Sequence, residues 1–153
     1  MTTRVLFVCL GNICRSPMAE GLMRAYSQGQ QLDVEVDSAA TSRWEVGSSP
    51  HPGTQKVLRE AGVDSSQMQA RQITSQDFWK YDYIIGMDQN NVADLQAIAP
   101  DGTAEKIHGY MSVVPGKEAA EIPDPWYTGD FEETRQLIME GLPYWAQIFS
   151  NHH

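Results

Sequence analysis

Val8-Cys9-Leu10-Gly11-Asn12-Ile13-Cys14-Arg15-Ser16-Pro17 (VCLGNICRSP) closes an apolar run that begins at Val5, and it holds both cysteines of the chain. Val5-Leu6-Phe7-Val8 reads as a buried strand. Ser16-Pro17 predicts a helix start, with serine as N-cap and proline at the first helical position. Ala19, Leu22, Met23 and Tyr26 follow at i, i+3, i+4 and i+7, one apolar helical face. Strand, tight turn and helix in immediate succession are the opening unit of an α/β fold.

Further along, Val34-Glu35-Val36-Asp37 alternates as a half-exposed edge strand does. A Ser-, Pro- and Gly-rich loop spans Ala40 to Pro52, before a helix carrying Val57, Leu58 and Ala61 and closed by Gly62. Tyr83-Ile84-Ile85-Gly86-Met87 is a second buried strand, and Asp88 caps a helix through Val92, Leu95 and Ile98. Lys106–His108 is a weaker strand. Met111 to Pro125 has no period and reads as a long loop, a length that is often functional. The last helix starts near Asp130 and carries Ile138, Leu142, Trp145 and Phe149; Pro143 is expected to kink or interrupt it. Strands alternating with helices imply a mainly parallel sheet, with ligands at the carboxyl ends of its strands. VCLGNICRSP lies at such an end.

The chain of 153 residues is expected to form one domain over 1–153, with 41% apolar and 20% charged residues. The apolar run at the start is shorter than a signal core, and no run reaches the length of a membrane span. Two cysteines make no disulfide scaffold, so a reducing cytoplasm is the expected compartment. A net charge of −9 argues against nucleic acid but leaves room for a small phosphorylated substrate at a locally positive site.

The amides of residues 10 to 15, folded ahead of a helix, can converge on one anion. Gly11 and Asn12 tolerate the positive φ such a turn needs. Arg15 adds a planar fork matched to two phosphoryl oxygens. The same environment favours the thiolate of Cys9, so a nucleophile and an oxyanion cradle share one loop. The loop lacks the Gly-Lys-Ser/Thr of a nucleotide-binding loop. The bare Cys-to-Arg spacing is weak evidence; a buried strand-end cysteine beside a helix cap is the plain alternative. Phosphoryl transfer also asks for an acid opposite the cradle, and Asp124, Asp101, Asp130 and Glu121 all qualify.

With Trp44-Glu45-Val46-Gly47, Ser49-Pro50-His51-Pro52, Ala70-Arg71-Gln72-Ile73-Thr74, Met87-Asp88 and Asp124-Pro125-Trp126-Tyr127, the loop gives several motifs in one order. In these, and over almost its whole length, the chain resembles the low-molecular-weight protein tyrosine phosphatases. The resemblance implies a three-layer fold, a four-stranded parallel sheet flanked by helices with the phosphate-binding loop after strand 1. It implies hydrolysis of phosphotyrosine proteins or peptides through a phosphocysteine, without metal or cofactor. Cys9 would be the nucleophile, Arg15 the clamp and Asp124 the general acid. Leu10, Gly11, Asn12, Ile13, Cys14 and Ser16 would hold the phosphate, with Trp44, Trp126 and Tyr127 as pocket walls. Asn12, Ser38 and Arg71 would brace the loop, and Cys14 would pair with Cys9 under oxidation.

One departure is Met68, where the family often has histidine, so a bond expected to support Asn12 is missing or supplied elsewhere. Three rivals stand beside this reading. Arsenate reductase on the same fold relays a disulfide through additional cysteines, absent here. A protein-arginine phosphatase carries threonine where this loop has Ile13. A silent phosphate-binding module has no need of Cys9, Arg15 and Asp124 together. The sequence points to no membrane partner and leaves oligomeric state open.

Overall fold

The computed structural model describes residues 2–151. Four strands, β1 (Thr3–Cys9), β2 (Val34–Ala40), β3 (Tyr83–Gly86) and β4 (Ile107–Gly109), form one sheet in the order β2-β1-β3-β4. All three pairings are parallel. Six α-helices connect and flank them: α1 (Arg15–Gly29), α2 (Pro52–Glu60), α3 (Ser75–Lys80), α4 (Gln89–Ile98), α5 (Pro125–Thr128) and α6 (Phe131–Ser150). This is the expected α/β architecture.

β1 shows why the sheet is central. Val5, Phe7 and Cys9 point into a core shared with Met18 and Leu22 of α1, Leu58 of α2, and Ile138 and Trp145 of α6. Leu6 and Val8 point the other way, onto Phe78 of α3 and Leu95 of α4. A strand covered on both faces needs a continuous apolar run, which is what Val5–Val8 supplies. The chain leaves β1 toward β2 on one side and later returns to β3 on the other. The carboxyl end of β1 is therefore the point where strand order reverses, and a crevice opens there.

Several local expectations are corrected. α1 begins at Arg15 with Cys14 as its N-cap, so Ser16 does not cap the helix and Pro17 stands at the third helical position. Proline is harmless there, because first-turn amides have no intrahelical partner. α3, not anticipated, is nucleated by a capping box in which Thr74 and Asp77 bond each other's backbone. α6 runs unbroken past Pro143. Pro143 and Met139, whose carbonyl loses its usual donor, both lie on the exposed face, where water serves instead. The long loop opens with a 3₁₀ turn at Tyr110–Val113 and reaches Asp124 without further regular structure. Among the described residues no helix is long and apolar enough to cross a membrane.

Candidate active site

The turn between β1 and α1 is held from outside. The Cys9 carbonyl accepts from the Thr41 amide at 3.0 Å, Leu10 from the Ser42 amide at 3.1 Å, and Ile13 from the His51 amide at 2.8 Å. Thr54 Oγ1 donates to the Cys14 carbonyl at 2.9 Å. Within a peptide plane the N–H points opposite to the C=O, so tying these carbonyls outward turns the amides that follow them inward. Asn12 makes the bend, with φ at +59°, and its own amide donates to Cys9 Sγ at 3.3 Å.

Behind the turn, Asn12 Nδ2 donates to Ser16 Oγ at 2.8 Å and to Ser38 Oγ at 2.9 Å. Its Oδ1 accepts the Arg71 amide at 3.1 Å. Ser16 Oγ lies 3.1 Å from Cys9 Sγ. The Ser16 hydroxyl is thus committed to the loop, the physical reason it is unavailable as a cap. Arg71 braces the loop through its backbone, while its guanidinium pairs with Asp77 and Asp37.

Arg15, only 3% exposed, directs Nη1 to Asp88 Oδ2 at 2.6 Å and to the Ile122 carbonyl at 3.1 Å. Its Nη2 reaches Asp124 Oδ2 at 3.4 Å. Nε is buried with no hydrogen-bond partner, a donor left for an incoming oxygen. Burial works against the charge of Arg15, but Cys9, Asp88 and Asp124 together raise its pKa above the ordinary arginine value. Burial, with the nearby Cys9 and Asp124, pushes the Cys14 thiol up to about 12, so Cys14 is a neutral thiol at physiological pH.

Over this turn opens a cleft of about 200 Å³, lined by Cys9, Leu10, Gly11, Ile13, Cys14, Arg15, Trp44, Glu45, Asp124, Trp126 and Tyr127. Trp44, Trp126 and Tyr127 are 77%, 59% and 78% exposed, so they are walls and not core. Trp126 meets the His51 ring edge-on at 6.0 Å. Asn12 and Ser16, expected among the substrate-binding residues, are not among the residues lining the cleft; both reach the Cys9 sulfur, Asn12 through its amide and Ser16 through its hydroxyl. Of the four acids left open by the sequence, Asp124 alone lines the cleft. Asp130 caps α6, and Glu121 accepts the Gln89 amide.

Two site residues escaped sequence reading. Asp88 caps α4 through Oδ1 and fixes Arg15 through Oδ2, and only the first role has a local signature. Glu45 shares the cleft wall; its position directly after Trp44 was the available signal. Among the described residues no group of three or more His, Cys, Asp or Glu side chains is placed to hold a metal ion.

Comparison with known proteins agrees with this geometry. The family model for low molecular weight phosphotyrosine protein phosphatase matches residues 4–152. The low molecular weight protein-tyrosine-phosphatase YfkJ of Bacillus subtilis is 45% identical over 139 residues, 90% of this chain and 89% of that one. The crystal structure of YfkJ superposes with a TM-score of 0.92 at 41% identity, covering 97% of this chain and 94% of the other. The crystal structure of a drosophila arginine phosphatase gives 0.88 at 33% identity, covering 97% of this chain and 99% of the other. A match along nearly the entire chain, in sequence as in fold, places this protein in the low molecular weight protein-tyrosine-phosphatase family.

Proposed function

We propose that the chain hydrolyses phosphotyrosine in proteins or peptides through a phosphocysteine intermediate, without metal or cofactor. The observation that carries this reading is the meeting of Cys9 Sγ, the unpartnered Arg15 Nε and Asp124 around one aromatic-walled cleft. The Cys9 thiolate attacks phosphorus while the phosphorus–oxygen bond to the ring breaks. The departing electron pair goes to the phenolic oxygen, which takes a proton from Asp124. Asp124 then takes a proton from water as that water attacks the phosphocysteine, and the sulfur–phosphorus bond breaks to return thiolate and phosphate. Arg15 and the loop amides hold the equatorial oxygens throughout. The apolar Ile13, in the same cleft as Trp44, Trp126 and Tyr127, suits a phenyl ring better than a guanidinium.

The test is a chelator-treated comparison of phosphotyrosine, phosphoserine and phosphoarginine peptides. Turnover confined to phosphotyrosine is expected. A preference for phosphoarginine would move the protein to the activity named for its drosophila neighbour, and no turnover at all would leave a phosphate-binding module.

Both cysteines are free, which fits a reducing cytoplasm. Peroxide oxidises the Cys9 thiolate to a sulfenic acid and is itself reduced, releasing hydroxide; the Cys14 thiol then attacks the Cys9 sulfur, its sulfur–oxygen bond breaks, and water leaves with the Cys14 proton. Reversible inactivation follows, slowed by phosphate in the cleft. With Cys14→Ser, dithiothreitol should recover much less activity after peroxide. Equal recovery, with no 9–14 bridge by mass spectrometry, would reduce Cys14 to a packing residue.

A further inference from the structure

The contacts behind the phosphate loop form a row that ends on a carboxylate at the far side of α1. Glu20 is 6% exposed and has both oxygens engaged. Oε1 accepts from Ser38 Oγ at 2.6 Å and Oε2 from Arg24 Nη2 at 2.5 Å. A carboxylate only accepts, so the one hydroxyl proton of Ser38 is committed to Glu20. Ser38 Oγ can then meet Asn12 Nδ2 only as an acceptor. The Arg71 amide already fixes the orientation of the Asn12 carboxamide, so its second Nδ2 proton goes to Ser16 Oγ. Having accepted there, Ser16 has its own proton left for the sulfur 3.1 Å away. Geometry alone leaves the donor of the Ser16–Cys9 contact open. The row resolves it: Ser16 donates and the Cys9 thiolate accepts.

We infer that Glu20 and Arg24 are a positioning pair for the nucleophile, holding Ser38, and through it Asn12 and Ser16, in the arrangement that stabilises the Cys9 thiolate. The inference rests on Cys9 being the reacting group. Glu20 and Arg24 face a polar cavity of about 300 Å³ on the side of the loop opposite the cleft. The charged groups around Glu20 there are Arg24 on its own helix, Asp37 on β2 and Asp64 beyond α2. Among the described residues lining the cavity Arg24 is the single cation, and its Nη2 is anchored to the Val36 carbonyl at 3.1 Å. Met68 lines the same cavity without charge, and the side chain of Asn12 is held instead by Ser16, Ser38 and the Arg71 amide. Burial raises the Glu20 pKa against the pull of Ser38 and Arg24, so the carboxylate depends on both partners.

Glu20→Gln leaves one acceptor for two donors: either Arg24 or Ser38 loses its bond. Arg24→Met removes the counter-ion, and Ser38→Ala cuts the row while sparing the Glu20–Arg24 pair. The readout is the rate of iodoacetamide alkylation as a function of pH. It is measured on peptide 5–15, in which fragment ions separate Cys9 from Cys14. In all three variants the midpoint should move to higher pH, with Cys9 alkylation at pH 6 slowed about three- to tenfold, the scale of one weakened bond to a charged group. Arg24→Lys should restore most of the rate. The double variant Glu20→Gln/Arg24→Met should be little worse than either single change, since the two act as a unit. Thermal melting identifies folded variants. Unshifted alkylation profiles in folded Ser38→Ala and Arg24→Met, whatever their melting temperatures, would overturn the inference and leave the pair a role in stability alone. Whether parent phosphatase activity falls in step with Cys9 alkylation tests the nucleophile separately.

Discussion

Residues 10–14 and residues 117–129 face each other across the cleft, and they are anchored very differently. In the first segment Asn12 is buried, four neighbouring carbonyls are tied outward, and the bend at Asn12 is braced by Ser16, Ser38 and the Arg71 amide. In the second, Glu118 to Glu121, Trp126 and Tyr127 are exposed. That segment is fastened at the Ile122 amide, which donates to the Met87 carbonyl, and at the Pro123 carbonyl, which accepts from Thr134 Oγ1. Arg15 bridges the two, touching the Ile122 carbonyl and Asp124. The contrast follows from the tasks proposed for them. Stabilising developing charge calls for dipoles that need no rearrangement. Admitting a bulky peptide and releasing product calls for a segment of low local stability.

The sharpest way to break the contrast is to remove chemistry from the rigid half without disturbing its geometry. Cys9→Ser should reduce turnover to background while inorganic phosphate still binds, as calorimetry can show. Substantial turnover by the serine variant would sink the nucleophile assignment.

Asp124→Ala strikes the yielding half and should slow aryl phosphates with poor leaving groups by about 10²–10⁴-fold. Substrates whose leaving group needs no proton should lose less. An equal loss for both would make Asp124 a shaping residue.

Arg15→Lys keeps the charge that joins the halves but not the fork, and a loss of about 10²–10³-fold in kcat is expected. Near-normal kinetics would remove Arg15 from the clamp.

The smallest effect is expected beneath the rigid half. Arg71 and the Thr74 backbone hold the Asp77 carboxyl below the usual aspartate range, against the opposing effect of burial. The carboxylate therefore contributes stability above about pH 4, the unfolded aspartate value, and this is lost as pH falls through the lower folded pKa. Asp77→Asn should cost about 1–2 kcal/mol at neutral pH through the lost cap and ion pair, and progressively less in acid. Denaturant titrations at pH 7 and pH 3 check this; a deficit unchanged between them would mean that charge is not the cause.

What sequence reveals here depends on how local the signal is. β1, the turn and α1 are legible because an apolar run, a glycine and a helical period lie side by side. The Ser16 cap misleads because the residue type is right while distant partners claim its hydroxyl. α3 is short enough that only its capping box betrays it, and that box uses aspartate at the last position where Glu or Gln is usual. Pro143 misleads because propensity rules do not know which face of α6 meets water. Asp124 is legible only through the family motif. Its rivals Asp101, Asp130 and Glu121 differ from it in where they lie, a property of the folded chain.

Arg15 finds its partners 73, 107 and 109 residues further along, and Asn12 finds the Arg71 amide 59 residues away. During synthesis, then, Cys9 leaves the ribosome early while the groups that make it a reagent do not yet exist. Closing such long loops comes at the end of folding, not the start. Until those distant partners hold Arg15 and Asn12 in place the chain carries a cysteine without its cradle, so a truncated or stalled product is chemically quiet. Reactivity at Cys9 thereby becomes a certificate of completed folding. Pulsed alkylation during refolding should find the fast-reacting thiol appearing together with native structure and never ahead of it.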